Sequence, residues 1–110
     1  MQENNFNQKI YSLLKKVPKG KITTYKILAE ALDTKAYRAV GQAMRNNPYA
    51  PEVPCHRVVS SDGKIGGFSG TMDRESREIR RKIRMLRKEG VNVKENRIVG
   101  FKKLLFDCNI

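Results

Sequence analysis

Pro54-Cys55-His56-Arg57-Val58 sets the only histidine of the chain beside one of its two cysteines. A thiol is a modest nucleophile and a thiolate a strong one, and a neighbouring imidazole can accept the thiol proton. The pair therefore points to covalent chemistry at sulfur. In a regular strand adjacent side chains project to opposite faces. Cys55 and His56 can then cooperate only if the chain turns between them, or if a water links them. Pro54 favours an irregular, fixed backbone at this point. A bare Cys-His pair is more often a small buried cysteine beside a core histidine. A cysteine hydrolase would need an oxyanion motif as well, and none accompanies the pair. Two cysteines and one histidine make no zinc set of the usual spacing, so neither a metal site nor a cofactor is expected. The start, Met1 to Asn5, is polar and lacks an apolar signal core. The chain thus reads as intracellular, in the cytoplasm, where a disulfide framework is not expected. Cys108 lies outside every motif.

The 110 residues fit one domain spanning 1–110 with one modest core. Lys and Arg number 23 against 11 Asp and Glu, a net charge of +12. Such an excess suits a polyanion, because phosphates attract the cations and release their own counterions. A soluble, highly charged surface is the plainer reading, so the charge needs a location. No apolar run is long enough to span a bilayer, and no basic helix carries a strong aromatic face for a membrane surface.

Phe6, Ile10, Leu13, Leu14 and Val17 fall at helical spacing and predict a helix over about 5–16, stopped by Pro18-Lys19-Gly20. Thr23 or Thr24 can cap a second helix carrying Tyr25, Leu28, Ala29 and Leu32 on one side. Asp33-Thr34 breaks that helix and can cap a third, over about 35–46. In the third helix Ala36, Val40, Ala43 and Met44 form an apolar face. Arg38, Gln42 and Arg45 form another at i, i+4 and i+7, with Gly41 between them. Two short helices and a basic outer face describe a helix-turn-helix, and Gly41 would let a phosphate backbone approach. Val53–Val59 is β-prone around Pro54, Asp62-Gly63 reads as a turn, and Gly66–Gly70 as a flexible loop. A fourth helix over about 73–89 turns Ile79, Ile83 and Leu86 inward. Its other faces carry Arg74, Arg77, Arg80, Arg81, Lys82, Arg84, Arg87 and Lys88, offset by Asp73, Glu75, Glu78 and Glu89. Gly90 ends it. Val91–Val99, turning at Glu95-Asn96, predicts a hairpin that could serve as a wing. The expected fold is mainly α: a winged-helix-like helix-turn-helix domain with a small β-sheet.

Several motifs, in order, resemble the O6-alkylguanine-DNA alkyltransferases, the methylated-DNA–protein-cysteine methyltransferases. They are the Tyr25-bearing segment Lys21–Leu32, the run Arg38–Pro48, Pro54–Val59, Gly66-Gly67-Phe68-Ser69-Gly70 and Glu89-Gly90. The resemblance covers about residues 6–93. It implies stoichiometric transfer of an alkyl group from O6-alkylguanine in double-stranded DNA to Cys55, with base flipping and the helix-turn-helix in the minor groove. It further implies that Glu89, His56 and a water take the Cys55 proton. Arg38 would fill the gap left in the duplex, and Tyr25 would hydrogen-bond the flipped base. The carbonyls of Cys55 and Val58 would accept from its amino group, and Ser69 would donate near its oxygen. Asn47 would brace the reader helix against the acceptor segment, and Lys82 would line the pocket. Gly41, Gln42 and Arg45 complete the DNA face of a protein expected to act as a monomer.

This sequence departs from the family pattern in places. Tyr25 to Arg38 is one residue shorter, Phe68 stands where many members have Tyr, Thr71 replaces a common glycine, and Ser69 to Glu89 is longer. The additional N-terminal domain that most members carry is not expected here. Two other readings compete. One is a lesion sensor without transfer, as in the alkyltransferase-like proteins, which commonly carry Trp at the acceptor position where Cys55 stands. The other is a winged-helix transcription factor, which would leave the Pro54–Val58 and Gly66–Gly70 motifs without a purpose.

Overall fold

The computed structural model of the protein describes residues 5–67 and 76–107. Helix α1 (Phe6–Leu14) starts where the Asn5 side chain accepts from the Gln8 amide, and it buries Ile10, Tyr11 and Leu14. The two-residue strand β1 (Thr23–Thr24) runs directly into α2 (Tyr25–Ala31). The Thr24 hydroxyl accepts from the Ile27 amide at 3.0 Å and satisfies one free donor of the first turn. Helix α3 spans Tyr37–Arg45. Its N-cap is Ala36, with no side-chain cap. Thr34 instead accepts from the Ala36 amide in a local turn, and Asp33 breaks the chain at φ +56°. The expected Asp33-Thr34 cap is therefore replaced by a turn two residues earlier.

Only Val58–Val59 of the β-prone segment forms a strand, β2; Cys55–Arg57 is a single 3₁₀ turn. Strands β1 and β2 pair in parallel, Thr23 with Val58 and Thr24 with Val59. This pairing brings the start of α2 alongside the acceptor segment. Helix α4 (Arg77–Lys88) is capped by Ser76, whose hydroxyl accepts from the Ile79 amide. It ends at Gly90, φ +90°, where Gly90 N–H donates to Arg87 and Val91 N–H to Leu86, the paired bonds of a Schellman stop. Strands β3 (Val93–Lys94) and β4 (Arg97–Ile98) form the expected hairpin, with Glu95 and Asn96 both at positive φ as a two-residue type I′ turn requires. The hairpin also pairs with Gly63–Ile65, through Ile98 N–H to Gly63 and Ile65 N–H to Asn96. A short helix α5 (Phe101–Leu104) follows, and the segment after it lies beside Ile22.

The apolar residues gather in two clusters. One holds Ile10, Tyr11, Leu14, Leu28, Val40, Ala43 and neighbours from α1, α2 and α3. The other holds Ile22, Val59, Ile65, Ile79, Leu86, Val91, Val93 and Ile98. Cys55 packs against both. Each fully buried Leu or Ile stabilises the fold by about 1.5–3 kcal/mol relative to exposure. On α4, Ile79 and Leu86 face inward as expected and Ile83 is half-buried, but Lys82, assigned by its charge to a polar face, is completely buried.

Tyr11 fixes α3: its hydroxyl donates to the Ala43 carbonyl at 2.8 Å inside the first cluster. Tyr11→Phe should lower unfolding stability by about 1 kcal/mol, measured by urea denaturation. An unchanged midpoint and slope would show that this bond does not hold α3 to α1.

Candidate functional site

Cys55 and His56 lie in a 3₁₀ turn and not in a strand, so they are not forced onto opposite faces. A strand would have separated them. The turn, closed by Val58 N–H donating to the Cys55 carbonyl, bends the chain at that point. His56 is buried and Cys55 half-buried. The His56 Nε2 atom lies 3.0 Å from Glu89 Oε2. With Glu89 ionised, Nε2 carries the proton and donates, leaving Nδ1 as the nitrogen that can accept one. Burial pushes the His56 pKa down, and this outweighs the Glu89 bond that would raise it; the charges of Arg57 and Lys82 push it further down. His56 is therefore neutral at pH 7 and competent to take a proton.

Arg57, quoted in the motif but given no role by sequence reasoning, organises this pair. Its Nε donates to Glu89 Oε1 at 2.9 Å and one terminal nitrogen to Oε2 at 2.6 Å, a two-pronged pairing suited to a planar carboxylate. The other terminal nitrogen donates to the Val17 carbonyl at 2.7 Å. Burial pushes the Glu89 carboxyl up, but the bonds from Arg57 and His56 overcome this and hold it below the usual carboxylate range. The signal available in the sequence was the Arg immediately after Cys-His. What hid its role was a partner 32 residues away.

Lys82 Nζ donates to the carbonyls of Val58 at 2.7 Å, Ile65 at 2.5 Å and Gly67 at 2.9 Å. Burial drags its pKa to about 7. Three carbonyl acceptors match the three N–H bonds of an ammonium; a neutral amine would turn a lone pair toward one of them. Lys82 thus ties β2 to the loop that begins at Gly66. Gly66 itself sits at φ +74°, and a Cβ there would lie 3.0 Å from Ser60 Oγ and 3.4 Å from the Tyr25 ring. The Tyr25 hydroxyl donates to Gly67 O at 3.4 Å, and burial pushes its pKa up to about 12, keeping the phenol neutral.

Asn47, just beyond α3, donates to the Val53 carbonyl at 2.8 Å and accepts from the Tyr49 amide. The same Val53 carbonyl accepts from Cys55 N–H at 2.9 Å. One oxygen therefore links the end of α3 to the backbone of Cys55. On α3, Arg38, Gln42 and Arg45 are exposed, and a Cβ on Gly41 would meet nothing within 4 Å. The structure brings Cys55, His56, Glu89, Tyr25, Val58 and Lys82 together, and sets Arg38, Gly41, Gln42 and Arg45 on a separate outward face. The Val58 carbonyl, expected to be open to a base, already accepts from Lys82, and one lone pair remains on it. Ser69 lies outside the described residues.

Removing the Arg57 charge should raise the pKa of His56, because a positive neighbour disfavours the imidazolium and Glu89 would then bond His56 alone. With a single histidine in the chain, an NMR titration of the imidazole reads this directly. Arg57→Gln should shift the titration upward and Arg57→Lys should shift it less. An identical His56 titration in all three proteins would refute the coupling.

A family model described as the DNA-binding domain of 6-O-methylguanine DNA methyltransferase matches residues 5–91. The chain is 40% identical over 90 residues to the methylated-DNA–protein-cysteine methyltransferase of Sulfolobus acidocaldarius, covering 82% of this chain and 52% of that protein. It spans between about a third and about half the length of the first curated relatives it matches. Among solved structures, the O6-methylguanine-DNA methyltransferase of Pyrococcus kodakaraensis aligns with a TM-score of 0.65 and 47% identity over 78% of this chain and 46% of that one. Atl1 of S. pombe, solved in complex with damaged DNA containing O6-carboxymethylguanine, aligns with a TM-score of 0.69 and 32% identity over 86% of this chain and 83% of that one.

Proposed function

The chain belongs to the family of the 6-O-methylguanine DNA methyltransferase DNA-binding domain, and from this premise we propose that it repairs double-stranded DNA by moving the alkyl group of O6-alkylguanine onto Cys55. The observation that carries the reading is a half-buried Cys55 in a one-turn bend beside a neutral His56, whose second nitrogen is held by Glu89. The Cys55 proton passes through a water to His56 Nδ1, and Glu89 stabilises the imidazolium that forms. The thiolate attacks the alkyl carbon from the side opposite O6. The S–C bond forms as the C–O6 bond breaks, and the electron pair leaves with guanine. Guanine takes up one proton, so in net terms the thiol proton is exchanged for the alkyl group. No redox partner or cofactor is needed for that balance.

The target oxygen is buried in the base stack, so the nucleotide must leave the duplex. Arg38 on the outer face of α3 fills the gap, with α3 in the minor groove. Gly41, Gln42 and Arg45 face the phosphates, and the open space at Gly41 permits close approach. Tyr25, kept neutral, donates to the flipped base; the free lone pair of Val58 and the Cys55 carbonyl accept from its amino group; Ser69 donates near its oxygen. Asn47 holds α3 and the acceptor turn in register, and Lys82 shapes the pocket wall by holding Val58, Ile65 and Gly67 in place.

A second reading, lesion binding without transfer, draws support from the match to most of the length of S. pombe Atl1. Cys55 supports transfer. Intact-mass spectrometry after mixing with a duplex holding one O6-methylguanine separates the two. The expected result is a gain of one methyl group, mapped to Cys55 and absent in Cys55→Ala. Retained lesion binding with no change in mass would favour the sensor.

A further inference from the structure

We propose that the outward face of α4 is a second phosphate-binding surface, separate from α3, which grips the backbone of nucleic acid beyond the α3 footprint. The inference rests on the reading that α3 holds DNA. It starts from where the charge lies. Residues 77–88 carry seven basic side chains and one acid, Glu78; with Lys82 turned into the core, six basic side chains against one acid leave +5 of the net +12 outside it. The reader helix supplies only Arg38 and Arg45. Of the acidic neighbours that the sequence sets against α4, Glu89 turns inward to Arg57 and His56, and Asp73 and Glu75 lie outside the described residues.

The geometry gives this charge a direction. At about 100° per residue, Arg77, Arg84 and Lys88 fall within about 40° of one another around the axis, over a length of about 16 Å. Ile79, Lys82 and Leu86, all buried, lie on the opposite side. The stripe therefore points straight away from the core, and all three of its members are exposed. Like charges sit at i, i+4 and i, i+3 (Arg84–Lys88, Arg84–Arg87), an arrangement that weakens a helix. Arg77 also stands at the positive end of the helix dipole. Arg87 and Lys88, in the last turn, suit the negative end of the dipole, so helix stability accounts for the end of the stripe but not for Arg77 and Arg84; an extended polyanion would relieve the repulsion along it.

Three observations select nucleic acid. The apolar face of α4 is buried in the second cluster, so no face is left to insert into a lipid surface. The outward faces of α4 carry no aromatic anchor of the kind that a protein interface uses. The stripe is mostly arginine, which pairs with phosphate through a planar fork. Once α3 is bound, the remaining phosphates of the same molecule are presented to α4 at high effective concentration.

The test uses the full chain and the triple variant Arg77→Gln, Arg84→Gln, Lys88→Gln, with Arg38→Ala as the α3 control. Binding is followed by fluorescence anisotropy across a salt series, on duplexes of roughly one and roughly four helical turns. Neutralising three contacts should lower the slope of log affinity against log salt by about 2 to 3 on the long duplex. Alkyl transfer from a free alkylguanine base should remain at the wild-type rate, which shows that the variant is folded. A loss confined to the long duplex assigns the stripe to flanking phosphates. An equal loss on the short duplex, together with failure to bridge two labelled short duplexes, assigns it to a second duplex. An unchanged slope in the triple variant, with binding lost in Arg38→Ala, overturns this inference alone. A wild-type chain that binds no duplex overturns it together with the reading of α3.

Discussion

Arg57 bonds three parts of the chain at once. Its fork takes the Glu89 carboxylate at the end of α4, its remaining nitrogen takes the Val17 carbonyl just after α1, and its own backbone forms the 3₁₀ turn with Cys55 and His56. The group is nearly out of solvent, with 12% of each side chain exposed in the Arg57–Glu89 pair. In such surroundings an unpaired carboxylate would be costly, and a charged, two-pronged partner is the arrangement that makes burial tolerable. His56 depends on this: its Nε2 is fixed by an oxygen that Arg57 has already placed. The acid-base behaviour of the site is thus a by-product of how the helices are joined.

Lys82 does for β2 and the segment Ile65–Gly67 what Arg57 does for the turn. Its Nζ, at the centre of three carbonyls, holds β2 against Ile65 and Gly67. The two-residue strands β1 and β2 are too short to set the spacing of the site by themselves. The closeness of Gly66 to Ser60 and Tyr25 gives the remaining constraint.

Local features were legible in the sequence and long-range ones were not. The cap at Thr24, the stop at Gly90, the Glu95-Asn96 turn and the apolar stripe of α3 follow from rules acting over four or five residues, and each has the geometry its residue types demand. Pro54 signalled the break that lets Cys55 and His56 share a bend. The misreadings have a common cause. Lys82 was placed on a polar face because lysine is seldom buried, and only acceptors 15 to 24 residues away reverse that preference. Val53–Val59 looked like a strand because valines are β-prone, yet Cys55 N–H bonds back to Val53 and leaves two residues for pairing. Arg57 carries no periodicity at all, and α5 is a single turn defined by what packs on it.

Cys55 sits where the two apolar clusters touch. Helix α3 belongs to the first, while α4, with Lys82 at its middle and Glu89 at its end, belongs to the second. Two close-packed bodies resist compression far better than they resist sliding, so a displacement of one against the other is taken up mainly as shear along their contact. A load applied to α3 therefore arrives at the sulfur by two routes: through the packing, and through the Val53 carbonyl that Asn47 and the Cys55 amide share. Cys55 therefore lies on the surface along which the two clusters would slide.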